Sequence, residues 1–262
     1  MTEILLRQDE GGIATLTLNT PASLNALSDA MLDALSTAFE RLAEDGSIRV
    51  IVLRGAGKAF CAGHDLKEMQ AARAAPDRGA AYFADLFARC GALMQQIPRL
   101  PQPVIAEVHG IATAAGCQLV ASCDMAVAAE GTRFGVNGVN IGLFCSTPMV
   151  ALSRNLPRKQ AFELLTTGAF LDAARARELG LVNRVVPHEA LAQETRALAE
   201  TVAAKLTAAV KIGKRAFYEQ LEMDLAGAYA HTAEVMAGNM LWRDTEEGIA
   251  AFLEKRKPDW SL

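Results

Sequence analysis

The segment Gly110-Ile-Ala-Thr-Ala-Ala-Gly-Cys-Gln-Leu119 constrains this chain most. An apolar strand, Val104-Ile105-Ala106, leads into it, and another, Met125-Ala126-Val127-Ala128, follows it. Between them the pattern is a small-residue turn and then a helix, which predicts an α/β fold with backbone open to close approach at the turn. A helix that starts there leaves unpaired N–H groups at the positive end of its dipole, a setting able to hold a developing oxyanion.

A second turn of similar build lies upstream. The apolar run Val50-Ile51-Val52-Leu53 ends at Arg54-Gly55, and Ala59-Phe60-Cys61-Ala62-Gly63-His64-Asp65-Leu66 follows. Either turn by itself is also what an ordinary strand-to-helix connection looks like. Together they suggest an oxyanion hole built from main chain.

Elsewhere the pattern alternates. Ile4-Leu5-Leu6 and Ile13 to Leu18 read as two strands joined at Glu10-Gly11-Gly12. Ser28 caps a helix whose apolar positions Met31, Leu32, Leu35, Phe39 and Leu42 share one face. Met69 to Gly79 reads as a mobile loop, followed by a helix over Ala80 to Ile97. Phe134 to Thr147 is loop-rich. Three short helices are expected over Met149–Leu156, Arg158–Thr166 and Ala173–Glu178, then a strand-like piece over Leu181–Val186. From about Leu191 onward the pattern is helical only. The expected organisation is an α/β core over 1–190 and a helical region over 191–262 that is not an independent domain.

The net charge of −4 with no basic run excludes a nucleic-acid binder. The five cysteines, Cys61, Cys90, Cys117, Cys123 and Cys145, match no zinc or disulfide framework and suit free thiols in a reducing compartment. The start, Met1-Thr2-Glu3-Ile4-Leu5-Leu6-Arg7, has neither the apolar run of a signal peptide nor an Arg-rich transit pattern, and no stretch suits a membrane span. A cytoplasmic protein without membrane contact is therefore expected.

An ordered set of longer pieces carries a resemblance. They are Thr17-Leu18-Asn19-Thr20-Pro21 with Asn25-Ala26-Leu27, Lys58 to Leu66, Gly110 to Leu119, Gly142-Leu143, and Gly168 with Ala173. Gly180-Leu181-Val182-Asn183-Arg184-Val185-Val186-Pro187 and Phe252-Leu253-Glu254-Lys255-Arg256-Lys257-Pro258 complete the set. In this order they resemble the crotonase superfamily of enoyl-CoA hydratases and isomerases over nearly the whole chain. The stretch Gly135 to Pro148 is similar to its divergent enoyl-CoA hydratase domain-containing 3 type branch.

The resemblance implies a spiral of ββα units, with C-terminal helices that make a homotrimer or a homohexamer. It implies an acyl-CoA thioester as substrate, with CoA as part of that substrate and neither a separate cofactor nor a metal. It assigns the two oxyanion donors to the N–H groups of His64 and Ala115. Many relatives carry Gly where Ala115 stands, so a positive φ there would be strained. The CoA portion would lie along Ala62, Asp65, Leu66 and Lys67 and against Ala26, although core packing explains Leu66 and Leu27 equally well.

The family's two catalytic glutamates align with Gln118 and Gly138, so both acids are absent. Neither Asp124 nor Glu130 is a good substitute: the first sits at a structural position and the second in a polar turn. A neutral amide is no base near pH 7, and losing acid–base assistance lowers rates about 10²–10⁴-fold per group. Hydratase activity is therefore doubtful; isomerisation, thioester hydrolysis, another enolate reaction and non-catalytic acyl-CoA binding stay open. Asn137, Asn140 and Cys145 are candidates for the acyl pocket, with Cys145 read as a buried inert thiol more readily than as a nucleophile. The His64 ring is a weaker acid–base candidate, and His109 reads as a packed histidine.

Overall fold

A computed structural model describes residues 3–260; Met1, Thr2, Ser261 and Leu262, the ends of the two spans expected above, lie outside the described residues. The chain opens with a hairpin, β1 (Leu5–Glu10) and β2 (Ile13–Leu18), and then α1 (Asp29–Glu44). Next come β3 (Val50–Gly55), α2 (Leu66–Ala72) and α3 (Ala80–Arg99). They are followed by β4 (Val104–Val108), β5 (Ile111–Thr113), α4 (Ala115–Ser122) and β6 (Met125–Ala129). After β7 (Arg133–Gly135) a 3-10 turn over Asn137–Ile141 leads to α5 (Pro148–Asn155) and α6 (Arg158–Thr167). The remainder is β8 (Phe170–Asp172), α7 (Ala173–Glu178), β9 (Arg184–Val186), α8 (Leu191–Ala203), α9 (Thr207–Gln220), α10 (Leu225–Met240) and α11 (Arg243–Leu253).

The strands form two sheets. The larger has the order β1-β2-β3-β4-β6-β9, antiparallel only between β1 and β2; the smaller is β5-β7-β8. Strands β2, β3, β4 and β6 are covered on both faces, as a parallel sheet requires. Leu16, Leu53, Ala106 and Ala126 stand in one row across them, all buried with α1, α3 and α4 in the main core. Ile13, Val52, Ile105 and Val127 face the other way, toward α8.

Helix α1 follows the reading made from its spacing. Ser28 Oγ accepts from Met31 N, and the buried residues are Met31, Leu32, Leu35, Phe39 and Leu42. The loop expected over Met69 to Gly79 is shorter than its composition suggested: residues 69–72 complete α2, and residues 73–79 form turns. Asp65 caps α2 by accepting from the N–H groups of Lys67 and Glu68, and Asp77 closes the following turn onto Gly79 N and Ala81 N. Those caps extend ordered structure into a stretch whose polar, Ala-rich composition suggested a loop.

The C-terminal helices are tied to the core by a buried cation. Lys214 on α9 donates to Ile97 O (2.8 Å), Gln102 O (2.9 Å) and Asp124 Oδ2 (2.7 Å), while Tyr218 OH donates to Asp124 Oδ1 (2.8 Å). Asp124 Oδ2 also accepts from Val104 N, so this carboxylate holds the turn before β6 as well as α9. Among the described residues, no helix is long and apolar enough to cross a membrane.

Candidate active site

The two small-residue turns meet. Thr113 N donates to Cys61 O (3.0 Å), Cys61 N donates to Ile111 O (3.2 Å), and Cys61 pairs with Ala112. Gly116 packs so closely on the Cys61 carbonyl that a Cβ there would collide with it. The first turn is also fixed from behind. Fully buried Asn25 donates to Ala56 O and Ala59 O, and Leu27 N donates to Gly63 O at 2.8 Å.

This joint leaves two amides free. Among the described residues, the N–H groups of His64 and Ala115 have no protein acceptor. Ala115 is the first residue of α4, where an unpaired N–H is expected. Gly63, at φ +89°, lets the two strands of the joint approach: a Cβ on it would lie 3.2 Å from Ala115 N and 2.9 Å from Ala114 Cβ.

The strain expected at Ala115 sits one residue earlier. Ala114 adopts φ 51° and ψ −121°, a region that L-residues rarely enter, whereas Ala115 is helical. The ψ of Ala114 sets the peptide plane that carries the Ala115 N–H, and Ala114 N is held by Gly135 O at 2.9 Å. The unusual backbone thus aims the free donor.

The side chain of His64 packs edge-on against Phe87, with ring centroids 5.7 Å apart. Its ring nitrogens are out of reach of solvent and have no well-formed hydrogen bond. Burial pushes the ring pKa below its ordinary value; the Leu27 main chain and Asp29 raise it, Arg89 lowers it, and burial dominates. The ring is therefore a neutral packing group near pH 7.

Of the CoA-side residues, Ala26 is buried and Ala62 and Asp65 are half-buried, Asp65 serving as the α2 cap. Leu66 is 56 % exposed beside exposed Lys67, which removes core packing as its explanation, while Leu27 is fully buried in the core.

Gln118 lies one helical turn after Ala115 and is 4 % exposed, its Oε1 buried without a partner. Gly138 is buried, and its φ is not positive. What closes that position is packing: a Cβ would run into the Leu143 carbonyl oxygen and lie 2.9 Å from Cys145 Sγ. Cys145 is buried, its thiol pKa raised by burial, which fits an inert thiol. Asn137 accepts from Thr113 Oγ1 at 2.6 Å and so belongs to the joint, a contact across 24 residues that spacing gives no sign of. Asn140 is exposed, and its Nδ2 donates to Gly168 O (3.5 Å) at the end of α6. His109 bonds Gly57 O at 2.8 Å and is packed, as its position suggested.

Residues 8–262 match the profile of the enoyl-CoA hydratase/isomerase family. The chain is 46 % identical over 250 residues to the human enoyl-CoA hydratase domain-containing protein 3, mitochondrial, covering 95 % of this chain and 81 % of the relative. Its Xenopus laevis counterpart is 45 % identical over 260 residues, covering 99 % and 87 %. Among solved structures, an enoyl-CoA hydratase from Mycobacterium smegmatis superposes with a TM-score of 0.95 at 57 % identity over the full length of both chains. The human domain-containing protein 3 gives 0.93 at 44 %, covering 98 % of this chain and 100 % of the other. The mitochondrial names of these relatives overturn the cytoplasmic expectation. Free cysteines report a reducing environment, and more than one compartment is reducing.

Proposed function

The chain belongs to the enoyl-CoA hydratase/isomerase family, whose members act on acyl-CoA thioesters, and from that premise we propose that it binds such a thioester in an oxyanion hole formed by the His64 and Ala115 N–H groups. The observation that carries the reading is the pair of free amides at the joint of the two turns. A thioester oxygen accepting both would be stabilised as it gains charge during enolate formation or attack at the carbonyl. Losing one such donor typically raises the barrier by about 3 kcal/mol. Backbone donors need only an approachable main chain, which Gly63 and Ala114 supply. CoA lies along Asp65, Leu66 and Lys67, with no further cofactor.

Hydration is the weak part of the repertoire. With Gln118 and Gly138 at the two acid positions, neither of those positions supplies a carboxylate to activate water or to protonate C2. Isomerisation, thioester hydrolysis or another enolate step stay open, each drawing its proton transfers from a group outside the two family acid positions. A non-catalytic acyl-CoA-binding protein is the second reading, favoured by the closed packing around Gly138. The helical region that begins at Leu191 belongs with the core as one unit, in keeping with the burial of Lys214, and assembles the chain into a trimer or hexamer.

The test is calorimetric titration with acyl-CoA thioesters and with free CoA. Tighter binding of the thioesters is expected; no binding of short, medium or long acyl-CoA overturns the reading.

A further inference from the structure

We propose that this chain carries a second small-molecule site, on the face of the larger sheet that packs against α8, and that it takes a small α-amino acid with a short apolar side chain. That face changes character along its strands. Ile13, Val52 and Ile105 pack on Leu191 and Ala199 of α8. Further along, the row across β2, β3 and β4 reads Thr17, Arg54 and Glu107. Side chains two apart on a strand share a face, so the polar row continues the surface that α8 covers. A cavity of about 170 Å³ opens there between the sheet and α8, with room for about five waters at ~30 Å³ each.

Two opposite charges line it without pairing to each other. Glu107 is 9 % exposed and makes no ion pair and no well-formed hydrogen bond among the described residues. Burial pushes its carboxyl pKa up; Arg54, His109 and Thr195 pull it down, and burial dominates. Arg54 stands opposite Glu107 on the next strand, one strand spacing of about 4.8 Å away. Its Nε donates to Thr17 Oγ1 (3.0 Å), and the rest of its guanidinium has no acceptor among the described residues. Thr195 is the one polar residue in the buried stripe of α8. Its Oγ1 is enclosed and lacks a well-formed bond, although it lies near the Glu107 carboxylate. Arg196, nearer solvent, is already paired with Glu10 (3.1 Å) and Glu200 (2.7 Å).

The lining dictates what fits. A buried carboxylate without a partner is unfavourable, and a cationic donor removes the penalty. A free guanidinium edge suits a carboxylate, which it can hold through two parallel bonds. A simple anion would satisfy Arg54 and repel Glu107; a simple amine would do the reverse. A metal ion would sit beside a fixed positive charge. A molecule with a carboxylate and an ammonium on one carbon answers both groups, and Thr195 Oγ1 accepts from the same ammonium. Ile13, Val52 and Ala192 give the remaining wall an apolar surface, and the small volume favours a short side chain.

The experiment is calorimetry on the full chain with L-valine and with its two halves. These are 3-methylbutanoate, which lacks the ammonium, and 2-methylpropan-1-amine, which lacks the carboxylate. Valine is expected to bind at least about tenfold tighter than either half, since a buried charge left without its partner is costly. Arg54→Gln and Glu107→Gln should each weaken valine binding at least about tenfold, and Thr195→Val should weaken it less. Far-ultraviolet circular dichroism matching the parent reports that each variant is folded. No binding of valine to the parent, binding of either half as tight as valine, or a valine affinity unchanged in the Arg54 and Glu107 variants overturns the proposal. The comparison of valine with its halves uses the parent chain, so it decides the matter even where a variant fails to fold.

Discussion

Gly63 stands directly against Ala115: the position a Cβ would take on Gly63 is 3.2 Å from the Ala115 amide nitrogen. Gly63 precedes one free N–H in sequence and touches the other in space. Gly63→Ala should therefore injure binding and stability together, through strain at φ +89° and through crowding of Ala114. The expected loss of stability is about 1–3 kcal/mol, with acyl-CoA affinity falling by more than tenfold. Urea denaturation and calorimetry check this; an alanine variant that binds like the parent refutes the account of the joint.

Ala114 should respond in the opposite sense. At φ 51° and ψ −121° an alanine is strained where a glycine is not. Relief of about 1–3 kcal/mol outweighs the roughly 0.4–1 kcal/mol lost to the freer unfolded chain. Ala114→Gly should thus raise the urea midpoint while keeping acyl-CoA binding, since Gly135 O still holds the amide. Ala114→Val should destabilise.

Much of the fold is legible in the sequence. The α1 face, the strands flanking Gly110 and the helical C-terminus follow from periodicity and caps, because each is decided within a few residues. That the two turns serve one oxyanion hole follows from their like build, while the assignment of the donors to His64 and Ala115 rests on resemblance, since nothing in spacing brings Cys61 to Ala112. Strain at Ala114, the closure of Gly138 by Leu143 and the Thr113–Asn137 bond were not legible. They depend on which backbone atoms meet across two sheets, and sequence patterns do not encode that. The sequence places the end of helix α2 too early, because the Ala-rich run after Met69 reads as loop while the Asp65 cap carries the helix on to Ala72.

The His64 ring gives a pH signature. Its pKa is held below the ordinary 6.5 by burial. Between the folded value and 6.5 the unfolded chain binds a proton that the folded chain does not, so stability rises with pH through that window. As pH falls below 6.5 stability is lost, and a charged ring would also face Arg89. His64→Gln, which keeps the backbone N–H, should flatten this dependence. Urea unfolding from pH 5 to 7.5 checks it by comparing slopes, not absolute stabilities; identical slopes contradict the buried neutral ring.

The C-terminal helices carry a surface that one copy leaves uncovered. Leu241 is 87 % exposed, Phe252 82 %, Leu225 76 %, and Tyr229 and Met236 71 % each. Apolar exposure on this scale marks an interaction surface, and closed symmetry is the ordinary outcome for identical chains. Light scattering should give three or six times the 27.9 kDa chain mass. Leu241→Asp with Phe252→Asp should lower the mass without loss of helix signal. A 27.9 kDa species for the parent at micromolar concentration refutes the trimer.

The absent acids lead to the sharpest expectation. Crotonyl-CoA hydration should be slower by several orders of magnitude than in a two-glutamate enzyme, since each missing group is worth about 10²–10⁴-fold. Gln118→Glu places a carboxylate on an existing side-chain path and should raise the rate modestly. Gly138→Glu cannot complete the pair, although its backbone would tolerate a side chain. The Leu143 carbonyl and Cys145 Sγ occupy the space, and Leu143 N is bonded to Gly138 O at 3.0 Å, so the segment cannot shift alone. Even Gly138→Ala should cost about 1–3 kcal/mol by overpacking, and the glutamate more. The double variant should therefore hydrate no faster than Gln118→Glu and melt well below it. Steady-state hydration and thermal melting measured together decide the matter. A parent turnover of about 1–10³ s⁻¹, the ordinary range for enzymes, would mean that another group carries the proton transfers. A stable, fast double variant would mean that the loop from Gly138 to Cys145 opens more readily than its packing implies.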